Sequence, residues 1–513
     1  MTPGRPASWP GRPAWALLAL LVLLLVSAPA ARASTSACAG TPETVVRGKG
    51  DVQVFAVQFK QSVAAMSTYA SIDSYVGCYF RRYVAPYRDR RVPGLVVFNE
   101  LTALTFALEG SAGEPARLFD TTPPATLIGN KTNEPLGALG GAIGLIAATH
   151  LPQIAYYTAR FPDDRLSLAR VFLAVSDTYI RAIWNSFAVD ARRYDVTVVV
   201  GAPLPILNGL GACAANHYPG WVACPGWTTS TSRTTIAVLA TAAGTRSVYV
   251  AQTPNVENVA LVFGPNGALV NLQPKVNLTA IEQEIGFTPA PMSTVHAIPL
   301  HGAPGVHMGV AISLDAFQHT HSAKPCAAAS DFVGCLASEH VNLLLQPEFN
   351  DGTPQCASWS TYSSACGAPA WQQLGWMLSS WYDVRHFASF DYAINPFMVG
   401  NLYDLAADGQ SAIFARNDPR ARAGSYVGDH DPISLYPDPS YLAAYDGLKS
   451  GFLALTPWLS NSRVRDDTAL AAGDPGSLES CENGLVPGSG VSTAPCAENG
   501  YRPTAITAML RLP

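Results

Sequence analysis

The apolar stretches of this chain repeatedly end on a single polar or charged side chain, and that pattern predicts most of its elements. Residues 94–100 (GLVVFNE) read as a short apolar strand closed by a carboxylate. Residues 308–312 are apolar throughout, as a strand buried on both faces must be, and run directly into Ser313, Leu314 and Asp315. In α/β folds the carboxyl ends of such strands present reactive groups, so Glu100 and Ser313 become candidate site residues. Residues 51–60 (DVQVFAVQFK) alternate toward a strand, and 62–90 place Met66, Tyr69, Ile72, Tyr75 and Tyr79 at helical steps. Strand, helix and the strand at 94–100 make one β-α-β unit.

Farther along, 135–150 (PLGALGGAIGLIAATH) is Gly-rich and apolar, too short to span a bilayer. It reads equally as a lid or buried hairpin over a site and as an ordinary core helix. An amphipathic helix with Trp184 and Phe187 is predicted over 171–194, followed by a strand at 196–201 (VTVVVG). Two short stretches, 235–239 and 247–252, precede 255–278 (NVENVALVFGPNGALVNLQPKVNL). There a Gly-Pro-Asn-Gly turn joins two strands into a hairpin that leads to Lys275. A strand at 341–349, a helix at 371–385 and strands at 387–394 and 411–415 follow. From about 426 the composition shifts to Pro, Gly, Ser and Asp, which predicts an irregular, disulfide-tied extension through 513.

Glu100 after one strand, Lys275 after a second and Ser313-Leu314-Asp315 after a third resemble the nitrilase, or carbon–nitrogen hydrolase, superfamily over about 45–425. The resemblance implies an α/β fold, a four-layer α-β-β-α sandwich, with 101–170 as an insertion. It implies a Glu-Lys-Cys triad in which Ser313 stands where the Cys is expected. Glu100 would then accept the nucleophile's proton and activate water, Lys275 would stabilise the oxyanion, and the Leu314 backbone N–H would add a second donor. Glu284 resembles the family's second glutamate, which orients the lysine, and Glu282 competes for that role. The implied substrate is a small-molecule amide or nitrile, with no cofactor and no metal. The serine matters chemically, because a thiol with a pKa near 8.5 gives up its proton to a carboxylate far more readily than a hydroxyl does. Two functions therefore stand: a hydrolase of non-peptide carbon–nitrogen bonds, and a nitrilase-fold binding protein without turnover.

Composition narrows the setting. A net charge of -5 with only 13% charged residues offers no polycationic surface, which argues against a nucleic-acid partner. Arg5 and Arg12 precede an apolar run at 14–26 and a small-x-small site, Ala31-Arg32-Ala33, so 1–33 reads as a signal peptide cleaved after Ala33. A released, secreted or extracytoplasmic protein is expected, with no membrane contact after cleavage and its oligomeric state open. All ten cysteines follow this segment, an even count suited to an oxidising compartment. Four pairs are near neighbours (Cys213 and Cys224, Cys326 and Cys335, Cys356 and Cys366, Cys481 and Cys496), and Cys38 with Cys78 would complete five. His319 and His321 suggest metal ligands or a base for Ser313. A third and fourth ligand at zinc-like spacing are missing, which favours plain surface residues.

Overall fold

The computed structural model describes residues 44–119, 137–162, 168–241, 244–317, 325–326, 331–349, 379–403, 405–407, 411–423, 451–456 and 503–512. All lie within one compact unit. Two sheets carry the architecture. The first runs in the order Thr44–Val46, Thr504–Leu510, Val52–Gln58, Gly94–Val97, Thr197–Asn208, Val256–Phe263, Leu269–Pro274, with Ala223–Pro225 paired to the end of the fifth strand. The second runs Ile298–Pro299, His307–Val310, Leu343–Leu345, Tyr392–Asn395, Ala412–Ala415, Gly451–Leu455, Arg422–Ala423. At the centre of each, three strands are parallel: 52–58, 94–97 and 197–208 in one, 307–310, 343–345 and 392–395 in the other.

The pleat decides which way each side chain faces. Val52, Val54 and Ala56, then Leu95 and Val97, share one apolar core with Met308, Val310, Leu343, Leu345 and Ile394 of the opposite sheet. The intervening Phe55, Val57 and Val96 pack outward beneath Tyr75, Val76, Tyr79 and Ile180. On the far side, Leu344, Ala393 and Phe414 pack beneath Phe332, Leu336, Trp381 and Val384. Helix, sheet, sheet, helix is therefore the layer order, and the four-layer α-β-β-α sandwich follows from the alternation of single strands.

The predicted helix at 62–90 is a turn at Val63–Met66, a helix at Tyr69–Tyr79 capped by Thr68, and a wide turn at Phe80–Val84. Residues 169–194 are likewise a chain of short helical pieces, closed by left-handed Asp195. Residues 233–239 are a helix and 248–251 a strand. The apolar stretch at 135–150 holds the helix Gly137–Thr149 rather than a hairpin. That helix walls an apolar cavity together with Leu104 and Leu108, just downstream of Glu100, and Ile285, close after Glu282.

One expectation changes at the C-terminus. The stretch after 426 is not only a wrapped extension, because it supplies Gly451–Leu455 to the second sheet and Thr504–Leu510 to the first. The latter strand lies between Thr44–Val46 and Val52–Gln58 and is buried along its whole length. Seven apolar or small residues suffice for a two-faced buried strand, and the surrounding Pro/Gly-rich composition masks that signal.

Cys213–Cys224 and Cys326–Cys335 are disulfides, and Cys78 is also disulfide-bonded. Cys38, Cys356, Cys366, Cys481 and Cys496 lie outside them, as do the expected signal peptide, His319 and His321. Among the described residues no helix is long and apolar enough to cross a membrane.

Candidate active site

Glu100 is placed by its strand and by a glycine. Phe98 N–H donates to Val199 O at 2.8 Å, which keeps the chain in line with the neighbouring strand, and Leu101 then turns into the left-handed region at φ 50°. Gly201, the last residue of VTVVVG, lies under this turn. A Cβ at Gly201 would press on Leu101 N and stand 2.8 Å from Asn99 O, so no other residue admits the same approach.

The hairpin brings Lys275 beneath that carboxylate. Lys275 N–H donates to Asn258 O at 2.8 Å, and its Nζ donates to Glu100 Oε1 and to Glu282 Oε2, both at 2.7 Å. Asn258 Nδ2 closes the ring, donating to Glu100 Oε1 at 2.6 Å and Glu282 Oε1 at 2.7 Å. Lys275, Glu100 and Glu282 are all buried.

The glutamate beside Lys275 is thus Glu282, and the expected partner Glu284 is exposed. The reason is local. Thr279 caps the short helix Ala280–Glu284, its Oγ1 accepting from Glu282 N–H, while Glu282 Oε2 accepts from Thr279 N–H at 2.8 Å. This reciprocal cap holds Glu282 inward, and Glu284, two residues on, is turned about 200° around the axis. The motif Thr-x-x-Glu at 279–282 is the sequence signal that favours Glu282.

Ser313 sits at a strand end as expected, in the left-handed region at φ 47°. Few side chains tolerate that backbone, and such strain gathers at functional turns. Ser313 N–H donates to Pro347 O at 3.0 Å, and its Oγ donates to Glu348 Oε1 at 2.6 Å. Leu314, half-buried, follows in the same tight turn, Ser313–Phe317. Buried Asp315 accepts from Asn277 N–H at 2.7 Å and Val276 N–H at 3.2 Å, which ties the serine turn to the residues just after Lys275.

Glu348 is the site residue that sequence reasoning passed over. Its Oε2 accepts from Gln346 Nε2 at 3.0 Å, and the next residue, Phe349, donates its N–H to Glu100 Oε2 at 3.0 Å. One short segment therefore reaches both Ser313 and Glu100. Its signal has the same form as the one at Glu100, an apolar run closed by a carboxylate (VNLLLQPE).

Four buried carboxylates feel one lysine, and two of them bond to it. Burial works to strip the proton from Lys275, but Glu100 and Glu282 outweigh it and hold the ammonium firmly protonated. Burial also opposes the charge on Glu282, yet Lys275, with donors from Asn258 and Thr279, keeps its carboxyl below the ordinary range. Glu100 carries the surplus: burial, with Glu282 and Glu348 nearby, outweighs Lys275 and lifts it to about 8. Glu348 is likewise raised by burial, against Ser313, Lys275 and Gln346. Burial lifts Asp315 to about 7. Among the described residues no cluster of His, Cys, Asp and Glu has the arrangement of a metal site.

Fold and site together define a class: an α-β-β-α sandwich with a buried Glu-Lys-Glu cluster at one sheet's strand ends and a serine on a strained turn from the other. No family model and no curated protein matches the chain. Among solved structures it is similar to amidases from Nesterenkonia sp. AN1. A cysteine-to-serine variant described as belonging to the nitrilase superfamily matches at 12% identity and a TM-score of 0.34, covering 71% of this chain and 84% of that one. A cysteine-to-alanine variant in complex with butyramide matches at 11% identity and a TM-score of 0.32, covering 71% and 84%. The layers and the buried cluster, rather than that similarity, define the class.

Proposed function

We propose that the chain is a secreted hydrolase of non-peptide carbon–nitrogen bonds, acting on small-molecule amides or nitriles through Ser313. The observation that carries this reading is the lysine held 2.7 Å from each of two buried glutamates, one at a strand end and one on a capped helix. Such a cation is fixed before substrate arrives and is worth most where charge develops on a carbonyl oxygen in a dry site. Lys275 and the Leu314 N–H serve as oxyanion donors, Glu282 orients the lysine, and Glu100 activates the water that hydrolyses the acyl-enzyme. A second reading, binding without turnover, draws on the same saturation: Lys275, Glu100 and Glu282 satisfy one another, and buried charges can persist for that reason alone.

The test is release of ammonia or amine from a panel of aliphatic, aromatic and acylated amides, butyramide and acrylamide included, and from nitriles. Wild type, Ser313→Ala, Ser313→Cys and Lys275→Met are compared. Turnover by wild type that is lost in Ser313→Ala and Lys275→Met, and raised about tenfold or more in Ser313→Cys, is expected, because the thiol ionises more easily. Turnover untouched by Ser313→Ala sinks the serine mechanism. Silence from wild type and the Cys variant, with ligand binding retained, establishes the binding reading.

A further inference from the structure

We propose that Glu348, rather than Glu100, is the general base for Ser313: it takes the hydroxyl proton as Oγ attacks the substrate carbon. The inference rests on the hydrolase reading and assigns its first step. Among the described residues the Ser313 hydroxyl bonds to Glu348 Oε1 alone, at 2.6 Å. Glu100 is engaged elsewhere, with Oε1 accepting from both Lys275 and Asn258 and Oε2 accepting from the Phe349 N–H.

A purely structural account makes Glu348 a partner that satisfies a buried serine. That account leaves its acidity unexplained. A glutamine would accept the same bond without placing a third carboxylate beside Glu100 and Glu282, and an uncompensated buried charge is costly. What a carboxylate adds is the capacity to hold a proton. The charged groups facing it are Lys275, which favours its ionised form, and Glu100 and Glu282, which oppose it, with Ser313 and Gln346 donating to it. Burial strengthens it as a base, which narrows the mismatch between a carboxylate and a hydroxyl.

The step balances within the site. Oγ forms a bond to the carbonyl carbon, its proton passes to Glu348, and the carbonyl π pair moves to an oxyanion beside Lys275. Collapse breaks the carbon–nitrogen bond, and the leaving amine takes the proton back from Glu348. An acyl ester on Ser313 and an ionised Glu348 remain. Water then attacks that ester and frees the acid.

The test is single-turnover labelling of Ser313 by a fluorophosphonate, followed by intact mass. The serine oxygen bonds to phosphorus, fluoride leaves, and the hydroxyl proton must be accepted, so no amide substrate is needed. Glu348→Gln is expected to slow labelling about 100-fold or more, the usual scale for a lost base, while Glu348→Asp retains part of the rate and Glu100→Gln costs less than Glu348→Gln. A paired comparison uses amide turnover in the Ser313→Cys background, where the nucleophile depends less on a base. There the loss caused by Glu348→Gln should shrink to about tenfold or less, whereas a structural role predicts equal losses in both backgrounds. Thermal melts confirm that each variant is folded. Labelling by Glu348→Gln within a few-fold of wild type, or equal losses in both backgrounds, overturns the assignment and leaves the hydrolase reading standing. A wild type that neither labels nor turns over any amide removes the hydrolase reading and the assignment with it.

Discussion

Glu282 Oε2 accepts from Lys275 Nζ at 2.7 Å and, in the same position, accepts the Thr279 N–H that starts its own helix. A helix cap and a buried ion pair are thus one structure. Because the cap fixes the carboxylate, the lysine is oriented by local backbone geometry.

Removing the lysine leaves Glu282 buried without a counter-charge, beside a Glu100 that burial already holds toward its neutral form. Lys275→Met is expected to cost about 3–5 kcal/mol of stability, the range for breaking a buried pair by deleting one partner. Urea unfolding at pH 7 measures it. A loss under about 1 kcal/mol would mean that water reaches the cluster and screens it.

Gly201→Ala places a methyl group against the backbone of Asn99, Glu100 and Leu101. Backbone cannot swing aside as a side chain does. We expect a loss of about 1–3 kcal/mol, typical of overpacking, together with a fall in turnover, since the strain displaces Glu100 itself. A melting temperature and amide turnover that both match wild type would refute the close approach.

Stability should fall as pH rises across the neutral range. Glu257 is fully buried, with one oxygen bonded to Asn208 and the other without a partner among the described residues, and burial pushes its carboxyl up to about 8 from 4.5. Between those values the folded protein holds a proton that the unfolded chain has released. Folding is therefore weakened by up to about 1.4 kcal/mol per pH unit per such group. Glu100 and Asp315 act in the same direction. Glu257→Gln should flatten the dependence and stabilise the protein at pH 8. Denaturation at pH 5, 6.5 and 8 checks this, and parallel profiles for variant and wild type count against it.

Replacing both Cys213 and Cys224 by serine opens a loop with a sequence separation of 11. The expected loss is about 3 kcal/mol from the unfolded chain's regained freedom. Thiol titration of the denatured, unreduced wild type should find no reactive thiol if all ten cysteines are paired. Two or more would break the five-bridge expectation.

Much of the fold is legible in short segments. The period-two alternation of DVQVFAV and the unbroken apolar runs at 94–97 and 343–345 determine which faces are buried, because the pleat is a property of the strand alone. The turn at 264–267 determines the hairpin beneath Lys275 for the same reason. Glu100, Lys275 and Ser313 each announce themselves as polar ends of apolar runs. Their company does not. Whether Glu282 or Glu284 meets the lysine depends on which way a five-residue helix faces, and the first expectation fell on the exposed one. Glu348 beside Ser313 exists only once two strands distant in sequence pair in parallel, and Phe349 beside Glu100 across 249 residues of chain only once the two sheets pack face to face. So does the place of 504–510 in the middle of a sheet begun at 44–58. Periodicity is written within a segment, but a hydrogen bond between segments needs the whole chain's closure to bring its two ends within 3 Å.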